Sequence, residues 1–529
     1  MVKLPKAAYN WALKHLVTEG DTDLFPPPFE IEAIRFNWKT VLASLATLDL
    51  SNYAWRGYRR FLIPKAELSF RTATQLDPMD SLILAAIMKK YGKKIEEARI
   101  PVEKKRVFSN RFAPQPDGRF YGPSSKWQEF WHHSLSRARM SRCKWVAIAD
   151  ITDFYNQIYH HVLQNQLVEA GVPKGVVKAI FNLLKTITHG VSRGIPVGPH
   201  SVHLMAECAL IPVDRSLLDR GYDFCRYADD MHFFCDSQEH AEIALYDVAD
   251  VLDAHQRLTL QRQKTKVVSA KDFQSLAQPM LVDRPMNDNE KKIIKVIKKH
   301  SDNNPYVFVG LDSLSASDID TVSDENLTEL FDLYLKSTPV NYPRIGWLLR
   351  RLAQVGAPGA MDHVLENMNQ LMPVLGDVAR YLMRASANYE GDLAVAGKRV
   401  VRALDLPLIQ HSEYMQIILV SLFGMVRDLD NMDELMAMYT SAGPAMRREI
   451  IIAAGVAGKG HFIKERKDEF GVSDPWLRQA LIAATTSLPG DEARHWVRKM
   501  KPGMTAMEKI VARWAFRDKE MKIGEVRVG

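Results

Sequence analysis

The chain has 529 residues, 47% of them hydrophobic and 25% charged, and a formal net charge of +7. That length and balance exclude a disordered polymer and leave core enough for roughly two to four domains. The mild positive charge permits a polyanionic partner such as nucleic acid without requiring one, and four cysteines with no CxxC spacing argue against a zinc site and for a reducing cytoplasm.

The N-terminal stretch "MVKLPKAAYNWALKHLVTEG" is interrupted by Lys6, Asn10 and Lys14 and lacks an apolar core of signal-peptide length. The longest apolar runs, such as "IILVSLFGMV" from Ile417, fall short of the roughly 20 residues a membrane span requires, so no membrane partner is expected. Residues 1–120 mix helical periodicity with a proline-broken segment, "GDTDLFPPPFEIEAI", and a basic run, "IPKAELSFRTA", that holds Lys65 and Arg71. Residues 121–280 change to apolar strands alternating with amphipathic helices. The predicted strands are "WVAIAD" from Trp145, two short arms at Phe224–Tyr227 and Met231–Phe234, and "KTKVVSA" from Lys264; the predicted helices include "YNQIYHHVLQNQLVEAG" and "SQEHAEIALYDVADVLDAHQRL". Residues 281–325 form a linker whose run "NEKKIIKVIKKH" reads as a short amphipathic helix with a solvated lysine face. From 326 to 529 the pattern is helical. Five apolar helix segments start at Arg344, Arg380, Met415, Arg448 and Arg478, spaced 30 to 36 residues apart, which suits stacked helix pairs of the HEAT or armadillo kind, or otherwise an irregular all-α domain.

The chemistry gathers in "CRYADDMHFFCD", where Asp229 and Asp230 sit at the tip of a predicted hairpin. An Asp pair in a turn is ordinarily bland. Two carboxylates fixed at a strand end become a site for a hard divalent cation when a third oxygen donor joins them. Asp150, which ends the strand "WVAIAD", is that third acid if the strands are neighbours in one sheet, and Asp153 beyond it reads as a helix cap. Such a site suits two magnesium ions, or manganese in their place, and nucleotidyl transfer.

Taken in order, "DITDFY", "GIPVGPHS" and "YADD" resemble the palm motifs of reverse transcriptases. The resemblance implies fingers and a palm, and with the helical spacing beyond residue 326 the expected architecture is α+β: reverse-transcriptase-like fingers and palm followed by an all-α HEAT-like helical-repeat domain. It implies that Asp150, Asp229 and Asp230 bind the catalytic metals. Tyr155 matches the bulky residue beneath the incoming sugar, where a ring would exclude a ribose 2′-hydroxyl; the same residue also fits as a core aromatic. Gly198 lies in the loop that lets backbone approach a nucleotide, Lys65 and Arg71 resemble the basic fingers residues that hold the triphosphate, and Lys264 matches the lysine of the family's "KT" step. Val197 stands where related enzymes commonly have Gln, and "SVH" follows the loop where they have Ser-Pro or Ser-Gln, a departure from ordinary templating.

The palm followed by a long helical region, with an N-terminal "HLVTEGDTDLFPPPFE", is similar to the abortive-infection (Abi) reverse transcriptases of bacterial phage defence. That resemblance implies template-independent DNA synthesis from deoxynucleotides, primed by a tyrosine hydroxyl of the protein, with single-stranded DNA left covalently attached, in a closed homo-oligomer. Tyr9 and Tyr53 are the first candidates for the primer. Two alternatives remain: templated, RNA-directed DNA synthesis, and a scaffold whose palm is idle and whose helical repeats bind a partner.

Overall fold

The computed structural model describes residues 2–66, 69–122, 126–281, 288–301, 311, 314–321 and 324–517. Parts of the expected 281–325 linker therefore lie outside the described residues. Contacts divide the chain into two units: Met1–Asp23, Trp38–Arg59 and Thr74–Arg284 in one, Leu24–Asn37, Arg60–Ala73 and Pro285–Gly529 in the other. Among the described residues no helix is long and apolar enough to cross a membrane. Strands β1 (Tyr58–Ala66) and β2 (Ser69–Leu76) pair as a two-stranded sheet.

The first unit is organised by a four-stranded sheet of β3 (Trp145–Asp150), β4 (Phe224–Tyr227), β5 (Asp230–Cys235) and β6 (Lys266–Ser269), in the order β4-β5-β3-β6. Every pair is antiparallel, although strands and helices alternate along the chain. Side chains alternate between the two faces of a strand, so the register decides what each face does. Val146, Ile148 and Asp150 oppose Phe234, His232 and Asp230, while Cys225 and Tyr227 oppose His232 and Asp230. On this face the apolar members pack with helices Lys126–Ala138 and Ala270–Ala277, around Phe130, Trp131 and Phe273. The aspartates end the same rows, just beyond that core. The opposite face carries Phe224, Arg226, Ala147 and Phe233, and helix Gln238–Gln256 packs against β3 and β5.

Two of the predicted elements end elsewhere. The helix expected from Tyr155 to Gly171 forms as two, Phe154–Gln157 and His160–Glu169. The break falls where the 192–194 segment pairs with the chain: Gly194 N–H donates to the Ile158 carbonyl (2.8 Å) and His160 N–H to the Ser192 carbonyl (3.0 Å). Backbone groups bonded sideways leave the helix ladder. The strand expected from Lys264 begins at Lys266, which leaves Lys264 in the preceding turn.

In the second unit the five predicted apolar segments lie in helices Tyr342–Val355, Leu375–Ala385, Glu413–Met425, Pro444–Val456 and Pro475–Ala484. Each packs on the next, and Ala506–Ala515 continues the row. Shorter helices such as Leu393–Ala403, Met432–Met438 and Gly460–Arg466 fall between them in the chain. Helix Glu30–Phe36 groups with this unit through a buried clasp. Arg448 donates to both carboxylate oxygens of Glu30 at 2.9 Å and to Glu449 at 2.5 Å, between the rings of Phe29 and Trp476. Phe29 also stacks on Trp514. The "NEKKIIKVIKKH" stretch is helical, with Ile293 and Ile297 buried, and Lys291, Lys292 and Lys295 exposed.

Candidate active site

Three aspartates lie at one end of the four-stranded sheet. Asp150 and Asp230 are register partners across β3 and β5, and Asp229 is held beside them because Ile151 N–H donates to its carbonyl at 3.2 Å. Asp229 sits in a two-residue turn with Ala228, whose φ of 52° is in the left-handed region. A non-glycine residue there costs on the order of 1–2 kcal/mol, so something must hold it. The holder is Arg226, fully buried on the opposite face, which donates to the Ala228 carbonyl at 2.8 Å. Arg226 is itself fixed by Asp214 (2.6 and 2.7 Å) and Glu207 (3.0 Å). Glu207 also accepts from Arg99 at 2.8 Å and from the Ser109 hydroxyl at 2.5 Å. Burial alone would raise the Glu207 carboxyl, but the guanidiniums of Arg226 and Arg99 outweigh it and hold the pKa below the usual value.

Lys264 reaches the acids from the opposite side of β3. Gln261 N–H donates to the Asp150 carbonyl (2.7 Å) and Thr152 N–H to the Thr259 carbonyl (2.9 Å), which ties the 259–261 segment to the strand end. The next turn puts Lys264 Nζ 2.7 Å from Asp150 Oδ2. Partial burial would lower the ammonium pKa, yet the hydrogen bond and charge of Asp150, joined by Asp230 and Asp229, raise it. One cation thus feels all three carboxylates. Oxygen donors at one strand end suit a hard divalent ion. Among the described residues, however, no group of three or more His, Cys, Asp and Glu side chains is already gathered as a metal-holding cluster.

Tyr155 lies in the short helix after Asp153, and its hydroxyl is 2.6 Å from His203 Nδ1. Burial, then the charges of Glu207, Tyr121, Asp229 and Tyr227, pushes the phenol well above its usual pKa, so the hydroxyl stays protonated. The Tyr155 carbonyl accepts from Ile195 N–H at 2.9 Å, which ties the "GIPVGPHS" loop to the same helix. Asp153 is not the helix cap it was expected to be. It occupies the cap position with a φ of 47°, but its carboxylate accepts from the side-chain amides of Asn156 and Gln157.

Gly198 has a φ of 139°, and a Cβ there would meet the Thr74 carbonyl at 2.7 Å and Thr22 Oγ1 at 3.1 Å. With Thr74 N–H donating to the Val197 carbonyl at 2.7 Å, protein packing already accounts for this glycine. Lys65 and Arg71 are exposed on β1 and β2 respectively, in the part of that hairpin assigned to the second unit. Of the candidate primers, Tyr9 is fully buried with its hydroxyl enclosed, while Tyr53 is half-buried and donates to Asp80 Oδ1 at 2.7 Å.

Sequence reasoning missed Arg226, Glu207, Asp214 and His203. A signal for the first existed: a charged residue inside the otherwise apolar strand "FCRY" needs buried partners of opposite sign.

Residues 63–322 match the family described as reverse transcriptase (RNA-dependent DNA polymerase). No curated protein matches the chain. The chain is also similar to a solved structure of telomerase from Candida albicans in complex with a TWJ fragment of telomeric RNA. That match has 11% identity, covers 72% of this chain and 70% of that one, and has a TM-score of 0.30, too slight to bear on fold or function. The sheet with its three acids falls inside that match, and residues 63–322 are therefore a reverse-transcriptase-like domain.

Proposed function

We propose that the protein is a DNA polymerase of reverse-transcriptase type that works by two-metal nucleotidyl transfer. The observation that carries this reading is the register of Asp150 against Asp230 with Asp229 in the adjoining turn, inside the matched domain. Asp150, Asp229 and Asp230 would hold magnesium, or manganese in its place, which when bound neutralises the triphosphate and acidifies the attacking hydroxyl.

The chain's own residues supply the rest. Lys264 carries positive charge at Asp150 and is placed to neutralise or protonate the departing pyrophosphate. Tyr155, its hydroxyl engaged by His203, excludes a ribose 2′-hydroxyl and selects deoxynucleotides. Lys65 and Arg71 provide exposed cations for a triphosphate.

The finer reading is a template-independent, protein-primed enzyme of phage defence, cytoplasmic and assembled as a closed homo-oligomer, in which HEAT-like repeats replace the thumb. It is supported by the resemblance to Abi enzymes, by Val197 in the loop, and by the sequential row of C-terminal helices. Of the two amino-terminal tyrosines, Tyr53 is the better primer, because the Tyr9 hydroxyl is enclosed. The description of the matched family favours a second reading, RNA-directed synthesis.

Purified protein supplied with labelled deoxynucleotides and magnesium, with and without an RNA primer-template, separates these. Label that stays with denatured protein and needs no template supports the first, with mass spectrometry locating the tyrosine. Synthesis that requires RNA and releases free DNA supports the second. No incorporation with either metal would leave only the scaffold.

A further inference from the structure

A second charged site lies in the last helical hairpin. Between helices Gly490–Met500 and Ala506–Ala515 there is a cavity of about 260 Å³, open to solvent. Arg494 and Arg498 line it from the first helix, Lys501 from the turn, and Lys509 and Arg513 from the second helix. The 494/498 and 509/513 spacings put each helix's cations on one face, and those faces look into the shared cavity. Positions that turn toward a neighbouring helix ordinarily carry apolar residues. No carboxylate lines the cavity. Arg494 pairs with exposed Asp491, and no ion pair is formed by Arg498, Lys501, Lys509 or Arg513 among the described residues. Val497, buried Met504 and half-buried Phe516 make the walls apolar.

Four cations with no ion pair among the described residues, Arg498, Lys501, Lys509 and Arg513, line one concavity, and their mutual repulsion falls when an anion enters. Inorganic phosphate would satisfy the cations and leave the apolar wall unused, and a fatty acid would bring one charge to four cations. A nucleotide brings both features: several phosphate oxygens, and a flat base that packs on an aromatic ring.

We propose that this cavity binds a nucleotide, its phosphates on Arg498, Lys501, Lys509 and Arg513 and its base against Phe516. The nucleotide is met either as a unit of single-stranded DNA or as a free nucleoside triphosphate. The site lies outside the family match and does not depend on the polymerase reading, because binding is measured without turnover.

The test uses the full chain and a fluorescein-labelled oligo(dT) strand. Arg498 and Arg513 are exposed, so R498Q/R513Q keeps the fold. For this double variant we expect about tenfold weaker binding and a fall of about 1.4 in the slope of log affinity against log salt, from two lost phosphate contacts. F516A should weaken binding by about tenfold with the salt slope unchanged. As an independent measurement on the wild type, a strand carrying 5-iododeoxyuridine should photo-crosslink to the peptide that contains Phe516. Competition of that crosslink by dTTP identifies the free nucleotide as the ligand, and competition by unlabelled oligo(dT) alone identifies the strand. Unchanged affinity and slope in both variants, or crosslinks confined to other peptides, would overturn the proposal.

Discussion

The sheet of the first unit and the last hairpin of the second both gather charge, and they treat it in opposite ways. Behind the β4–β5 hairpin, Arg226 and Arg99 meet Asp214 and Glu207 in a fully buried network that also grips the turn at Ala228. Around the terminal cavity, Arg498, Lys501, Lys509 and Arg513 form no ion pair among the described residues, and no acid lines the cavity with them. A buried pair adds little net stability, but it fixes geometry, and losing one partner leaves an uncompensated charge. Clustered like charge does the reverse: it is costly as it stands and is relieved by a ligand. The three aspartates resemble the second case with the sign inverted, since like charges gather at one strand end and the charge of each raises the pKa of Lys264.

The contrast can be broken by substitution. The largest effect is expected at the acids: Asp150→Asn should lower nucleotide incorporation by about a thousandfold without unfolding the protein, as followed by steady-state rates and circular dichroism. Next, Arg226→Ala should destabilise the first unit by about 3–5 kcal/mol, whereas Arg498→Gln should change stability by less than about 0.5 kcal/mol; urea titrations of the two variants measure that gap directly. Lys264→Ala should slow incorporation by about a hundredfold, and arginine in its place should restore part of the rate if charge rather than proton donation matters. His203→Phe removes the partner of the Tyr155 hydroxyl and should narrow the preference for deoxynucleotides by about three- to tenfold, less than Tyr155→Ala does; paired assays with ribo- and deoxynucleoside triphosphates give the ratio.

A further effect concerns pH. Burial pushes the Asp21 carboxyl up to about 7, and burial together with Asp77 does the same to Asp80. Each then holds a proton in the folded protein that the unfolded chain has already released. Their contribution is fully favourable below the ordinary value of 3.8 and is lost as pH rises through 7. Asp21→Asn should flatten the stability profile between those limits; a profile as steep as wild type would contradict the assignment.

How much of this was legible in the sequence follows from the range of each interaction. Strand alternation placed both arms of the Asp229 hairpin within two residues of their observed ends, because a buried face writes itself into local pattern. The five apolar helix segments were visible for the same reason, and the sixth, Ala506–Ala515, was not, its glutamate, lysine and arginine diluting the signal. Illegible were the partners set by distance along the chain: Glu30 with Arg448, Arg226 with Asp214 and Glu207, and Tyr155 with His203. Lys264 was found through its motif, yet its hydrogen bond to Asp150 depends on a strand end that no local pattern shows.

The central claim is that Asp150, Asp229 and Asp230 act together on a deoxynucleotide. The most direct test incubates purified wild-type protein and its Asp229→Asn/Asp230→Asn variant with labelled deoxynucleoside triphosphates and magnesium or manganese, and counts label in polymer. The account predicts incorporation by the wild type and none above background by the variant. Equal incorporation by both proteins, or none by the wild type with either metal, would contradict it.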